Sequence, residues 1–104
     1  MLDLQKLETF RVVATMSNFS RAATQLGYKQ STVTFHIQSL ERELGVRLLE
    51  RQRFSKTIAM TDIGRRILEY AERLLALAAE ANAKASSFRR RSRGAAGSYP
   101  ARLK

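Results

Sequence analysis

QSTVTFHIQSLEREL, residues 30–44, decides how the rest of the chain is read. Val33, Ile37, Leu40 and Leu44 recur at steps of 4, 3 and 4, which is one stripe of an α-helix. The opposite side carries Ser31, Thr34, Phe35, Gln38 and Arg42. An idle surface helix would show water a row of Lys and Glu. This one shows short hydroxyls, an amide and an aromatic ring, with the charges kept to its last turns. Groups of that size suit the base edges of a DNA major groove. The stretch is therefore expected to be a recognition helix, with the remaining residues positioning it.

Just upstream, residues 19–26 form a short helix whose buried side is Phe19, Ala22, Ala23 and Leu26. The two alanines let a following helix pack close, as a steep crossing requires. Gly27 ends this helix, and only Gly27, Tyr28 and Lys29 separate it from Gln30. Two short helices joined by a three-residue turn with Gly make the helix-turn-helix pattern. Such corners also occur in helical proteins that bind nothing. A first helix is expected over residues 3–16, capped by Asp3, with Leu4, Leu7, Phe10, Val13 and Ala14 on its buried face. Ser17-Asn18 interrupts the pattern, and Asn18 offers the cap for the second helix.

Downstream, Gly45 closes the third helix. Residues 46–49 and 57–60 are short β-compatible runs flanking the polar, basic segment 50–56. They predict a two-stranded wing leaning on the helices through Leu48, Leu49, Ile58 and Met60. Arg51, Arg53 and Lys56 then stand where a phosphate backbone can be met, although Arg51 can instead pair with Glu50 or a helix acid. Thr61 and Asp62 open a long helix, in which Gly64 costs some helix propensity. Ile63, Ile67, Tyr70, Leu74, Leu77 and Ala81 follow at heptad spacing, with Leu68, Ala71, Leu75 and Ala78 as a second apolar row. If helical through Phe88, the segment is about 42 Å long. The small domain before it cannot cover that length, so the seam calls for another surface, most simply the same helix of a second copy.

Composition bounds the alternatives. The 104 residues suffice for one small domain. There is no Cys, and His36 is the only histidine, so no disulfide framework and no Cys- or His-cluster metal site is expected. His36 itself reads as a packed or solvent-edge residue. No signal peptide and no run of roughly 20 apolar residues is present, which predicts a soluble, cytoplasmic protein with no membrane partner. The formal net charge is +10, but Arg89, Arg90, Arg91, Arg93, Arg102 and Lys104 supply six of those charges with no acid among them. A basic end of this kind often means only a solvated tail. The nucleic-acid reading therefore rests on residues 1–85. Residues 89–104, rich in Gly, Ser and Arg, are expected to be a basic tail without regular structure.

Three helices, a wing and a long heptad helix, in that order, resemble the N-terminal domain of LysR-type bacterial transcriptional regulators. The matching stretches are LDLQKLETFRVVA, NFSRAATQLGYKQSTVTFHIQSLERELGVRLLER and MTDIG. They cover residues 2–64 nearly continuously, and the long helix extends the match to about residue 85. The resemblance implies a mainly α winged helix-turn-helix over residues 1–60 and a linker and dimerisation helix over residues 61–88. It implies a homodimer, or a higher oligomer built from it, binding double-stranded DNA at an interrupted inverted repeat near a promoter, in the bacterial nucleoid. Gln30, Ser31, Thr34, Phe35 and Gln38 fall where the family reads bases. Lys29, Arg42, Arg51, Arg53 and Lys56 fall where backbone and minor groove are met, and Ile67, Tyr70, Leu74, Leu77 and Ala81 where the linker helices pair. Three positions depart from the family pattern. Lys29 replaces the usual capping Ser and Ser31 the usual Pro, which weakens the start of the helix. Phe35 replaces a common Arg, implying an apolar contact such as a thymine methyl rather than a guanine contact.

Family members continue into a two-lobed effector-binding domain. These residues contain no counterpart, so no small-molecule effector site and no cofactor is expected here. Nothing indicates an enzyme: there is no nucleophile–base pair, no Gly-rich phosphate loop and no carboxylate constellation. The competing function is a protein-interaction module acting through the long helix. In that case Thr34 and Gln38 are merely exposed polar residues, and Phe35 packs against a partner. Salt separates the two readings, because phosphate neutralisation makes affinity fall steeply with salt while an apolar seam is little affected.

Overall fold

In the computed structural model, residues 2–51 and 58–92 are described. The element order is α1 (Leu4–Met16), α2 (Phe19–Leu26), α3 (Gln30–Leu44), β1 (Leu49–Arg51), β2 (Ile58–Met60) and α4 (Asp62–Ser92). The expected fold class, a winged helix-turn-helix followed by a long helix, is the one observed. The wing tip with Arg53 and Lys56, and the tail from residue 93, lie outside the described residues.

The helix boundaries follow from local chemistry. Asp3 accepts from the backbone N–H of Gln5, and Asn18 from that of Arg21, so each satisfies a donor left open at a helix start. Gly27 and Gly45 end α2 and α3 at φ 73° and 74°, the left-handed conformation that only Gly adopts at little cost. Ser17 ends α1 in the same conformation at φ 54° without that advantage.

α1 is the central element and packs against α2, α3, α4 and β2. Its buried face is therefore wider than one stripe: Val12 and Thr9 are buried along with Leu7, Phe10 and Val13. Leu4, expected on that face, is instead exposed at the helix's first position. Ala22, Ala23, Val33, Ile37, Leu40, Leu48, Leu49, Ile58 and Ala71 complete the core. The Arg11 guanidinium of α1 is held above its ordinary pKa chiefly by its hydrogen bond to Glu8, 2.6 Å away. Partial burial works against that shift, and the charges of Glu8 and of Glu72 on α4 reinforce it.

β1 pairs antiparallel with β2 in the register Leu49 with Met60, Glu50 with Ala59 and Arg51 with Ile58. The first strand thus starts at Leu49 rather than Val46. Leu48 has no backbone groups left for a ladder. Its N–H donates to Glu41 Oε2 at 2.7 Å, and its carbonyl accepts from the Thr61 N–H at 3.0 Å. Thr61 also caps α4, accepting from the Gly64 N–H at 2.9 Å, and donates its hydroxyl to the Arg47 carbonyl at 2.7 Å.

These bonds bring the backbone of α4 hard against residue 48. A Cβ on Gly64 would collide with the Leu48 carbonyl oxygen and sit 3.0 Å from its carbon. The glycine that looked costly for the helix is what lets the helix and the wing meet. Gly64→Ala is expected to destabilise the fold by about 1–3 kcal/mol, overpacking outweighing the roughly 1 kcal/mol gained in helix propensity. Urea unfolding reads the difference, and a more stable variant would contradict this assignment.

α4 continues through Arg91 to Ser92, past the expected boundary at Phe88. At 1.5 Å per residue it is about 46 Å long. Its two apolar rows part company. Ala71 is buried, and Leu68 and Leu75 pack on the core, so the second row holds α4 to its own domain. The heptad seam turns outward, with Tyr70 57%, Leu74 39% and Leu77 61% exposed.

Candidate nucleic-acid interface

α3 presents two unlike faces. Val33, Ile37 and Leu40 seal one side into the core. Gln30, Ser31, Phe35, Gln38 and Arg42 are exposed on the other, and Thr34 is half-buried. Thr34 and Gln38 line a shallow cleft between α3 and the wing, together with Phe19, Glu41, Arg47 and Ile58. Two of the expected base readers thus share one concave strip beside the wing.

The start of α3 is held from outside. Lys29 occupies the N-cap position and makes no side-chain capping bond, as its replacement of Ser predicts. Its carbonyl accepts from the N–H groups of Thr32 and Val33, and Ser20 of α2 donates its hydroxyl to Gln30 Oε1 at 3.0 Å. α2 therefore fixes the first residue of α3. No pattern in the sequence marks Ser20 for this task.

Phe35 stands 55% exposed at the centre of the outward face. Lys6 of α1 places Nζ 5.7 Å from its ring centroid and donates to Ser39 Oγ at 2.8 Å. The cation adds positive charge beside the ring and ties α1 to α3. His36 is half-buried, with Nδ1 2.8 Å from Thr9 Oγ1 and its ring edge-on to Tyr28 at 5.4 Å. That is a packed histidine, as the sequence suggested.

Glu41 is the residue that sequence reasoning missed. Its Oε2 accepts from the N–H groups of Leu48 and Leu49 at 2.7 and 3.3 Å, with Arg47 Nε at 3.7 Å. One carboxylate thereby ties the start of the wing to α3. The available signal was an acid next to the buried Leu40, with an arginine shortly beyond the helix end. Glu41→Ala leaves the buried Leu48 N–H without an acceptor. We expect it to cost about 1–3 kcal/mol and to speed hydrogen exchange at the Leu48 and Leu49 amides. Unchanged protection there would show that the carboxylate does not hold the wing.

Arg51 ends β1, but its side chain, like Arg53 and Lys56, lies outside the described residues. Of the expected pairing residues, Tyr70, Leu74, Leu77 and Ala81 are exposed, while Ile67 is half-buried against this protomer's own core. Among the described residues no group of three or more His, Asp or Glu is placed to hold a metal ion. No described helix is long and apolar enough to cross a membrane.

Known proteins share this arrangement. The family described as "Bacterial regulatory helix-turn-helix protein, lysR family" matches residues 4–65. The HTH-type transcriptional regulator CitR of Bacillus subtilis (strain 168) is 43% identical over 74 residues, 71% of this chain and 25% of CitR. The uncharacterized HTH-type transcriptional regulator YwqM of the same organism is 38% identical over 88 residues, 85% of this chain and 29% of YwqM. The chain thus spans a quarter to a third of the length of these relatives. Among solved structures, the CbnR_DBD-DNA complex superposes with a TM-score of 0.76 at 35% identity, covering 83% of this chain and 97% of that one. The BenM_DBD/benA site 1 DNA complex superposes with a TM-score of 0.76 at 31% identity, covering 84% of this chain and 99% of that one. With its helices, wing and long helix matched across most of its length, the chain belongs to the LysR family of bacterial regulatory helix-turn-helix proteins.

Proposed function

We propose that this chain is a sequence-specific DNA-binding regulator that engages an inverted-repeat operator as a dimer. α3 enters the major groove, where Gln30, Ser31, Thr34 and Gln38 meet base edges and Phe35 an apolar group such as a thymine methyl. Lys29 and Arg42, with Arg51, Arg53 and Lys56 of the wing, neutralise phosphates on either side. The outward seam of α4, through Tyr70, Leu74, Leu77 and Ala81 with Ile67 at its edge, joins two copies so that two half-sites are read together. The reading requires no catalysis and no cofactor, and it places the protein with the chromosomal DNA of a bacterial cytoplasm. Residues 1–60 then act as the reader and the helix from residue 61 as the coupling element.

The observation that carries this reading is the division of α3 into a sealed apolar side and an outward side of hydroxyls, amides and one ring. DNA-bound relatives of the same fold support it. Selection of bound fragments from genomic DNA tests it. The expected result is a shared motif of two inverted arms, with affinity falling steeply as salt rises. Recovery of unrelated fragments, or affinity indifferent to salt, would favour a protein-interaction role for α4 instead.

A further inference from the structure

Neither base reading nor pairing through the seam uses the last helical turn of α4. Arg89, Arg90 and Arg91 are helical and exposed there, after Phe88, which is also exposed. Charge along α4 is uneven. From Asp62 to Glu80, the acids Asp62, Glu69, Glu72 and Glu80 alternate along the chain with Arg65, Arg66 and Arg73. Two of those arginines are engaged, Arg65 with Asp62 at 2.7 Å and Arg73 over the Tyr70 ring at 5.0 Å. Beyond Glu80 only cations occur: Lys84 and the three arginines. The one contact described for this turn is a hydrogen bond from Arg89 to the Ser86 hydroxyl at 3.3 Å, which neutralises nothing.

This cluster cannot serve its own protomer's half-site. It lies about 42 Å along the helix axis from Asp62, and α4 is tied to its domain through α1. Pairing through the outward seam changes its surroundings. Parallel pairing would set two such clusters side by side. Antiparallel pairing keeps them apart and opposes the two helix dipoles. An antiparallel pair centred on Leu74 carries the arginines about 24 Å past the centre. An equal distance in the other direction leads back to the base of the wing. In such a pair each basic turn would lie level with the base of its partner's wing.

We propose that the Arg89–Arg91 turn is a second, sequence-independent DNA contact that grips the phosphate backbone at the partner's half-site. The proposal rests on the dimeric DNA-binding reading and adds an element to it. Successive side chains on a helix fan out by about 100°, so one or two of the three reach phosphate at once. Each phosphate neutralised contributes about 0.9 to the slope of log affinity against log salt.

The test uses the full chain with Arg89, Arg90 and Arg91 all replaced by Gln, which preserves helix propensity. Binding is measured over a salt series to a selected two-arm fragment and to a random duplex. The slope is expected to fall in magnitude by about 2–4 for the dimer, while the preference for the selected fragment over random DNA stays at the wild-type value. The corresponding triple Lys variant keeps the charge and is expected to retain the wild-type slope. In a Leu74→Glu background on a single-arm duplex, the Gln changes are expected to leave the slope unaltered. An unaltered slope in the dimer, a Lys variant as impaired as the Gln variant, or an equal loss in the monomer would each overturn the proposal. Sedimentation distinguishes one further outcome: if the Gln variant becomes monomeric, the arginines serve the partner helix rather than DNA. Failure of the wild type to prefer selected over random DNA would instead sink the α3 reading.

Discussion

Leu74→Glu is expected to leave a folded monomer in place of the proposed dimer. Leu74 stands 39% exposed at the middle of the outward seam and is no part of the monomer core, whereas Ala71 and Leu75 on the neighbouring row hold α4 to α1. A carboxylate at this position would be desolvated against the apolar seam of the second copy. The cost therefore falls on association. Linking two readers makes the second binding event intramolecular, and that linkage is worth about 10²–10⁴ in affinity. Binding to a two-arm operator should fall by a factor in that range, while binding to a single arm changes little. Sedimentation together with circular dichroism reads the result. A variant that remains dimeric, or one that loses helix content, would show that the seam has been misassigned.

The double substitution Thr34→Ala with Gln38→Ala is expected to erase much of the discrimination between operator and random DNA. Removing a side chain that bonds a base edge costs about 1–3 kcal/mol of discrimination, so the pair together cost about 2–6 kcal/mol. Affinity for random DNA should hardly move, because neither side chain is charged and phosphate neutralisation dominates that binding. Neither change threatens the core, since Val33 and Ile37 carry the buried side of α3. Wild-type preference in the double variant would mean that these residues are ordinary exposed polar groups.

The helices were legible in the sequence because their signals are local. The stripe Val33, Ile37, Leu40, Leu44, the caps at Asp3 and Asn18 and the stops at Gly27 and Gly45 each act within one or two turns. α2 and α3 consequently begin and end where their residues say they should. What escaped depends on groups far apart in the chain. Glu41 is an unremarkable helix acid until the Leu48 and Leu49 amides are brought to it. Gly64 looks like a defect until the Leu48 carbonyl arrives. The start of the wing shifted from Val46 to Leu49 for the same reason, as Glu41 and Thr61 claim the backbone groups of Leu48. α1 buries more than its periodicity indicates, because being surrounded by three helices and a strand is a property of the fold and not of residues 4–16. For the interface, the sequence marked which side of α3 faces outward, and the structure adds the cleft that Thr34 and Gln38 share.

Whether α3 lies in the major groove is read by chemical footprinting on a selected fragment carrying guanines in each arm. Guanine N7 is exposed in that groove, so a helix seated there should shield it from methylation in both arms. N7 should be shielded in each arm at saturating protein, and exposed again in the Leu74→Glu variant at concentrations where the wild type fills the site. Full N7 reactivity throughout a saturated fragment would mean that α3 does not occupy the major groove.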